Sequence, residues 1–197
     1  ETLQALCARC DFILAAVTAS NALAVAQEAA QHIRPGSVFL DLNSASPGTK
    51  QQAAALIEAR GAHYVEAGAL TSVSPYGIRV PMLLGGAQAV TGWGMDAQPV
   101  SEQLGVASAI KMCRSVMIKG LEVLVIESYS TARAYGVESH VLPTLAETFP
   151  GIDWEKQGAY FFRRVVQHGQ RRAEEMRESA RTVGDAGFAP FTPRPIA

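Results

Sequence analysis

The fold of this chain is decided by the stretch Val38-Phe39-Leu40-Asp41-Leu42-Asn43-Ser44-Ala45-Ser46-Pro47. Its first half, up to Asn43, has the pattern of a β-strand. Ser46 and Pro47 are residue types that helices favour at the N-cap and at the first helical position. The stretch therefore predicts a strand followed at once by a helix, which runs to Arg60 and is closed by Gly61.

The same alternation of strand and helix continues on both sides of this stretch. Upstream, the apolar run 12–17 predicts a strand, and the alanine-rich segment 22–33 predicts a helix. Downstream, the segments 63–67 and 80–86 predict a third and a fourth strand. Short connections between such elements indicate right-handed crossovers, so we expect a doubly wound parallel sheet of the α/β class.

The second half of the chain is predicted to be helical, over 105–135, 139–149 and 154–183. Residues 87–104 show no clear period, because glycines and Pro99 interrupt it. We therefore predict an α/β domain at 1–104 and an all-α domain at 105–197.

Composition and charge argue against several classes of function. The chain has 197 residues, of which 48% are hydrophobic and 18% charged, and its net charge is −1. This balance is globular and indicates neither a nucleic-acid partner nor a membrane partner. Cys7, Cys10 and Cys113 form no disulfide or metal framework, so we expect no metal site and a reducing, cytoplasmic compartment.

Lys111 has the most unusual sequence neighbours of any charged residue in the chain. It is framed by Ile110, Met112 and Cys113 near the start of the long apolar helix. Burial lowers the pKa of an ammonium group, and a lysine tuned in this way can transfer a proton near neutral pH. The alternative is a lysine whose stem packs while its charged head reaches water.

Small and hydroxyl-bearing residues follow each of the first three predicted strands, in the segments 17–20, 43–47 and 68–74. Ligands of open parallel sheets bind outside the carboxyl ends of the strands. Each segment taken singly fits an ordinary cap or turn. Three of them at one sheet edge indicate a ligand site, where backbone N–H groups can meet a planar or phosphate-bearing molecule.

The order and spacing of these motifs resemble the β-hydroxyacid dehydrogenase family, which includes 3-hydroxyisobutyrate and 6-phosphogluconate dehydrogenases. The resemblance rests on the segments 41–47, 66–69 and 83–86, with Gly61, Gly105 and Lys111. The segments 108–115 and 147–154 further resemble a branch with its own C-terminal helical domain. The resemblance implies a Rossmann-like domain that is incomplete at its N-terminus, a second all-α domain, and NAD or NADP as cofactor.

The resemblance also implies roles for individual residues. Lys111 falls on the family's catalytic lysine, which takes the proton of the substrate hydroxyl in oxidation and returns it in reduction. The residues implied to bind the cofactor are Val17, Thr18, Ala19 and Asn43. The residues implied to bind the substrate are Asn43, Ser44, Leu70, Thr71, Ser72, Ser115 and Arg172.

The sequence departs from the family pattern in three places. It begins at Glu1 and contains no Gly-rich phosphate loop, so we expect an N-terminal portion that precedes it. The family's Ser-Gly-Gly substrate loop is replaced by Leu70-Thr71-Ser72, whose bulk argues against simple 2-methyl-3-hydroxy acids. Residues 87–104 are short for the helix and strand that the family has there.

We therefore expect an NAD(P)-dependent oxidoreductase that acts on a small hydroxy acid or a related carbonyl compound. An imine-reductase-like enzyme and a non-catalytic nucleotide-binding dimer are the alternatives. The long apolar helix would span about 45 Å, more than one small domain needs, which predicts a homodimer through the helical domain.

Overall fold

The computed structural model describes residues 2–71, 73–86 and 94–192. Its strands are β1 (Phe12–Ala15), β2 (Val38–Asp41), β3 (His63–Ala69), β4 (Met82–Gly85) and β5 (Ala97–Ser101). Its α-helices are α1 (Leu3–Arg9), α2 (Ala22–His32), α3 (Pro47–Glu58), α4 (Val73–Tyr76), α5 (Val106–Tyr135), α6 (Glu138–Thr148) and α7 (Trp154–Asp185). Short 3-10 turns lie at Ala19–Asn21 and Gly77–Arg79.

The five strands lie side by side in chain order, and the first three are parallel. This arrangement confirms the predicted Rossmann-like sheet. The expectation that all strands are parallel was wrong for β4, which pairs with β3 in the antiparallel direction. The described residues of the segment 70–81 between them form only the four-residue α4 and one 3-10 turn, whereas a parallel connection usually needs a longer crossover with a full helix.

Strand β5 lies at the edge of the sheet, parallel to β4, in the segment where the sequence showed no period. Its side chains are exposed or half-buried, so it has no apolar alternation. It also contains Pro99, a residue that sheets tolerate at an edge. These two properties explain why the sequence pattern did not reveal it.

One core of the sheet domain lies between the sheet and helices α1, α2 and α3. Phe39 and Tyr64 stack there with ring centroids 6.0 Å apart, against small residues such as Ala26 and Ala53. A second buried cluster includes residues of β2, β3 and β4, among them Leu40. Burial on both sides of the central strands agrees with their unbroken apolar sequences.

Helix α3 begins as its sequence predicts, and it receives a second cap from α7. Ser46 Oγ accepts a hydrogen bond from Thr49 N at 3.3 Å, and Pro47 is the first helical residue. Glu178 Oε2, on α7, accepts from Ser46 N at 2.8 Å and from Thr49 Oγ1 at 3.0 Å. The Glu178 carboxylate therefore links the helical region to the carboxyl edge of the sheet.

The helical region is built on α5 and α7, which pack against each other in opposite directions. Met112 faces Ser179, Lys119 faces Glu175, and Glu122 faces Arg172. Helix α5 confirms the long helix predicted over 105–135, and it is followed by Gly136, whose φ of 68° is a left-handed cap. Helix α7 is kinked at His168.

Helix α5 begins one residue after the predicted start of the all-α domain, but the division at 104 stays a prediction. The helical region has a small core of its own around Val125, Trp154 and Phe161.

None of the helices in the described part of the chain combines the length and the hydropathy that a membrane span needs.

Candidate functional site

The carboxyl ends of β1 and β2 are joined by the side chain of Asn43. Asn43 Oδ1 accepts a hydrogen bond from Val17 N at 2.6 Å, which directs the amide nitrogen away from Val17. Asn43 Nδ2 is buried and has no hydrogen-bond partner among the described residues. Buried donors are costly to leave unpaired, so this amide is suited to bind an oxygen atom of a ligand.

A buried polar network fixes the end of β2, from which Asn43 follows. Asp41 Oδ1 lies 2.8 Å from Lys50 Nζ and accepts from Asn43 N, and Asp41 Oδ2 accepts from Tyr64 Oη at 2.6 Å. Lys50 also donates to the Asp41 carbonyl oxygen at 2.9 Å. Burial and the Asp41 carboxylate raise the pKa of Tyr64, so the phenol keeps its proton and donates to Asp41.

The start of α5 is held by Glu66, a fully buried residue of β3. Its carboxylate accepts hydrogen bonds from Gly105 N at 2.8 Å, Ala107 N at 3.1 Å and Ser108 Oγ at 2.7 Å. A carboxylate at a helix N-terminus pairs with unsatisfied N–H groups and with the positive end of the helix dipole. Glu66 therefore fixes the first turn of α5 against β3.

Lys111 lies one turn further along α5, with its stem against the backbone of Gly68. Its side chain is partly buried, and its Nζ forms no hydrogen bond or ion pair with any described residue. Burial and the nearby positive charge of Lys50 lower the pKa of Lys111 to about 8, while the carboxylates of Glu175 and Asp41 oppose that shift. The Lys111 ammonium therefore releases its proton more readily than that of an exposed lysine, as proton transfer requires.

The loop after β1 carries the other residues that were predicted to bind the cofactor. Val17 and Thr18 are exposed, and Ala19 is buried. Thr18 Oγ1 lies 3.0 Å from Ser20 Oγ and accepts a hydrogen bond from Asn21 Nδ2. The loop is thus ordered by its own side chains, with Val17 and Thr18 accessible to a ligand.

The described residues predicted to bind substrate come from the loops after β2 and β3 and from the helices α5 and α7. Ser44 is partly buried beside Asn43, and Ser115 is partly buried one turn after Lys111. Leu70 N bonds to Pro81 O at 3.0 Å, and Thr71 is exposed. Ser72 lies outside the described residues.

Arg172 does not lie near Lys111 in this chain. Its guanidinium binds the Glu122 carboxylate through two hydrogen bonds, of 2.8 and 2.5 Å, and both side chains are buried. Glu122 follows Lys111 by eleven residues, about 16 Å along the helix axis. The role of Arg172 in substrate binding stays a prediction, while the structure gives it a partner that joins α5 to α7.

A cavity of about 600 Å³ lies near this edge between α2, α3 and α7, but Lys111 is not among the residues that line it. Ser20, Ser46, Glu174 and Glu178 are part of its wall, and Ser20 Oγ donates to Glu174 Oε2 at 2.9 Å. The contacts that hold α7 against the sheet therefore border this cavity.

Among the described residues, no group of His, Cys, Asp and Glu side chains could hold a metal ion.

Sequence reasoning missed the residues that hold Lys111 and Asn43 in place, which are Asp41, Lys50, Tyr64, Glu66 and Gly68. A usable signal was present, because Asp41 and Glu66 are charged residues inside apolar strand patterns. Charged residues at buried positions are normally paired. Their partners could not be read from the sequence, since they lie up to 42 residues away.

The comparisons with known proteins agree with this architecture. Residues 1–88 match the NAD binding domain of 6-phosphogluconate dehydrogenase, and residues 132–197 match a domain family of unknown function. A conserved hypothetical protein from Sinorhizobium meliloti 1021 is 39% identical, with a TM-score of 0.78, and the match covers 98% of this chain and 67% of that protein. The chain therefore belongs to the 6-phosphogluconate dehydrogenase-like family of NAD-binding proteins, in a branch with its own helical C-terminal domain.

More distant solved structures share the fold alone. The 3-hydroxyisobutyrate dehydrogenase of Salmonella typhimurium is 15% identical with a TM-score of 0.72, and the match covers 99% of this chain and 74% of that one. A reductive aminase from Aspergillus terreus, solved with NADPH and ethyl levulinate, is 17% identical with a TM-score of 0.60, over 99% and 74% of the two chains.

These findings confirm the expected family and the expected class of cofactor, NAD or NADP. The residues at the sheet edge fit such a molecule. Asn43 Nδ2 offers a buried donor to a hydroxyl or carbonyl oxygen, and the exposed Val17 and Thr18 are accessible beside it. No described side chain competes for that donor.

Proposed function

We propose that this protein is an NAD(P)-dependent oxidoreductase that interconverts a small hydroxy acid and the corresponding carbonyl compound, with Lys111 as the proton-transfer residue. The proposal rests on the environment of the Lys111 amine. It is partly buried, it has no hydrogen-bond or ion-pair partner among the described residues, and its pKa is lowered to about 8. Unpaired lysines with such a pKa are suited to acid–base catalysis.

The proposed reaction assigns one step to each group. A bound nicotinamide would supply the hydride transfer to and from the substrate carbon, which is the chemistry of that cofactor. Neutral Lys111 takes the hydroxyl proton as the carbonyl forms, and the Lys111 ammonium returns that proton in the reverse direction. Asn43 Nδ2 donates a hydrogen bond to an oxygen of the cofactor or substrate, which orients it beside Lys111.

The decisive experiment replaces Lys111 in the full chain and measures turnover by nicotinamide absorbance with a panel of small hydroxy acids. We expect Lys111→Ala to abolish turnover and to keep cofactor affinity. Lys111→Arg should also fail, since a guanidinium cannot release its proton near neutral pH. Lys156→Ala, at an exposed position on α7, is the matched control and should keep wild-type rates. Retained turnover in Lys111→Ala would rule out the mechanism.

A second candidate is the reduction of imines, the chemistry suggested by the reductive aminase that shares this fold. In that case Lys111 need not be the proton donor. The same panel should then include cyclic imines. Turnover of an imine by Lys111→Ala, without turnover of any hydroxy acid by the wild type, would favour this candidate. Tight cofactor binding with no turnover of any compound would instead indicate a non-catalytic nucleotide-binding protein.

We further propose that the protein is a homodimer through its helical region. Ile110, Met117 and Leu124 recur every seven residues on α5 and are exposed by 42%, 72% and 63%. On α7, Val166 is exposed by 86%. Apolar stripes of this kind usually mark an interface.

The three cysteines are free, which fits the reducing cytoplasmic compartment that we propose.

A further inference from the structure

A buried ion pair joins α5 to α7 two turns after Lys111. Lys119 Nζ lies 2.6 Å from Glu175 Oε2, and the two side chains are only 7% and 15% exposed. The pair belongs to the antiparallel contact between the helices, in which Met112 Sδ lies 3.6 Å from Ser179 Oγ. The proposed function uses neither Lys119 nor Glu175.

Charged groups from four elements act on Lys111. They are Asp41 on β2, Lys50 on α3, Lys119 on α5 and Glu175 on α7. Both carboxylates in this set already bind another lysine. Asp41 holds Lys50 at 2.8 Å, and Glu175 holds Lys119 at 2.6 Å. Lys111 is the lysine of this group that has no ion-pair partner among the described residues.

We infer that Lys119 is a positioning residue, which holds the Glu175 carboxylate away from Lys111 and so keeps the Lys111 amine unpaired. The inference rests on the proposed role of Lys111 in proton transfer. An amine with a carboxylate nearby binds its proton more tightly, because the opposite charge favours the ammonium form. Sequestering Glu175 therefore leaves Lys111 able to release its proton at a lower pH.

The chain allows a direct test, because it contains only four lysines, Lys50, Lys111, Lys119 and Lys156. Competitive acetylation with acetic anhydride over a range of pH, read by peptide mass spectrometry, reports the titration midpoint of Lys111. Exposed Lys156 serves as the internal reference. This measurement needs no substrate and no turnover, so it is independent of the proposed reaction.

The two partners of the pair should shift that midpoint in opposite directions. Lys119→Met removes a positive charge and leaves Glu175 without its neutralising partner, so the midpoint should rise by roughly half a pH unit to one unit. Glu175→Gln removes a negative charge and should lower the midpoint by a similar amount. Lys119→Arg keeps the charge and should leave the midpoint near the wild-type value.

Arg171 limits how far the titration midpoint of Lys111 can rise in Lys119→Met. Its Nε lies 3.8 Å from Glu175 Oε1, so Glu175 keeps one cation nearby when Lys119 is replaced. The Arg171 side chain is 59% exposed, and water screens its charge more than that of buried Lys119. The double variant Lys119→Met/Glu175→Gln removes both charges of the pair and should return the midpoint towards the wild-type value.

Opposite shifts in the two single variants, cancelled in the double variant, would support the inference. A merely structural role for the pair predicts equal loss of stability in both variants without opposite shifts. Midpoints that stay within about 0.2 unit of the wild type, or that move in the same direction, would overturn it. Should Lys119→Met not fold, Glu175→Gln alone must still lower the midpoint. Turnover by Lys111→Ala would refute the proposed function separately and would leave these midpoints unaffected.

Discussion

Gly68 of β3 lies so close to Lys111 of α5 that a Cβ at position 68 would be 3.4 Å from Lys111 Cβ and 3.5 Å from Lys111 Cδ. The same Cβ would lie 3.3 Å from the carbonyl oxygen of Ala107. The absence of a side chain at position 68 thus allows the first turns of α5 to rest directly on the sheet. The position of the proposed catalytic lysine depends on this approach.

Gly68→Ala should lower kcat several-fold and cost only about 1 kcal/mol of stability, because α5 must shift by a few tenths of an ångström. Steady-state kinetics and thermal unfolding measure the two effects. Gly151→Ala is the control, since a Cβ there meets no atom within 4 Å. An unchanged kcat in Gly68→Ala would contradict the idea that this contact sets the position of Lys111.

Glu66→Gln should destabilise the protein by about 1–3 kcal/mol, because an amide replaces a buried carboxylate that accepts three hydrogen bonds from the start of α5. Chemical denaturation measures the change. Glu127→Gln, at an exposed position on the same helix, should alter stability by less than about 0.5 kcal/mol. Equal effects of the two substitutions would show that Glu66 has no special role at the helix start.

Lys111→Met should stabilise the protein at neutral pH while it abolishes the proposed activity. The pKa of Lys111 is lowered from 10.5 to about 8 in the folded protein, so folding disfavours its charged form. Because the side chain is only partly buried, we expect a gain of about 1–2 kcal/mol rather than the full value of the shift. Lys156→Met, at an exposed position, should give no such gain.

The pH dependence of this gain has a defined sign. Between about pH 8 and 10.5 the unfolded chain binds more protons at Lys111 than the folded chain does, so wild-type stability rises relative to Lys111→Met. The advantage of the variant should therefore be largest below pH 8 and should shrink as the pH approaches 10.5. Unfolding curves of both proteins from pH 7 to 10 test this. An advantage that grows with pH would contradict the lowered pKa.

Met117→Glu should dissociate the proposed homodimer at micromolar concentration, because a charge would replace the most exposed member of the apolar stripe on α5. Light scattering gives the mass of each species. Ser130→Glu, on another face of the same helix and also exposed, is the control and should remain dimeric. A wild-type protein that is monomeric under these conditions would refute the dimer itself.

The sequence was sufficient to predict the elements whose signals are local. The strand that ends at Asp41, the cap at Ser46 and the long helix from Val106 to Tyr135 all follow from short-range patterns, and the structure contains them. The antiparallel direction of β4 could not be predicted, because an apolar run has the same pattern in either direction.

The surroundings of the site depend on contacts between distant parts of the chain. Lys119 and Glu175 are 56 residues apart, and they meet only because α5 and α7 pack in one register. Lys111 could be singled out from its neighbours in the sequence, but its contact with Gly68 depends on how α5 lies on β3. Local patterns therefore predicted which residue to examine, and long-range packing determines its environment.

Glu178 has a consequence for how such proteins can evolve. It accepts hydrogen bonds from Ser46 and Thr49, which precede it by 132 and 129 residues. The start of a helix in one half of the chain is thus bound by a carboxylate from the other half. A chimera that joins residues 1–104 to the helical half of a distant relative would lose this cap unless the relative has an acidic residue at the same place. We therefore expect such a chimera to be less stable than either parent unless an acidic residue is restored at position 178.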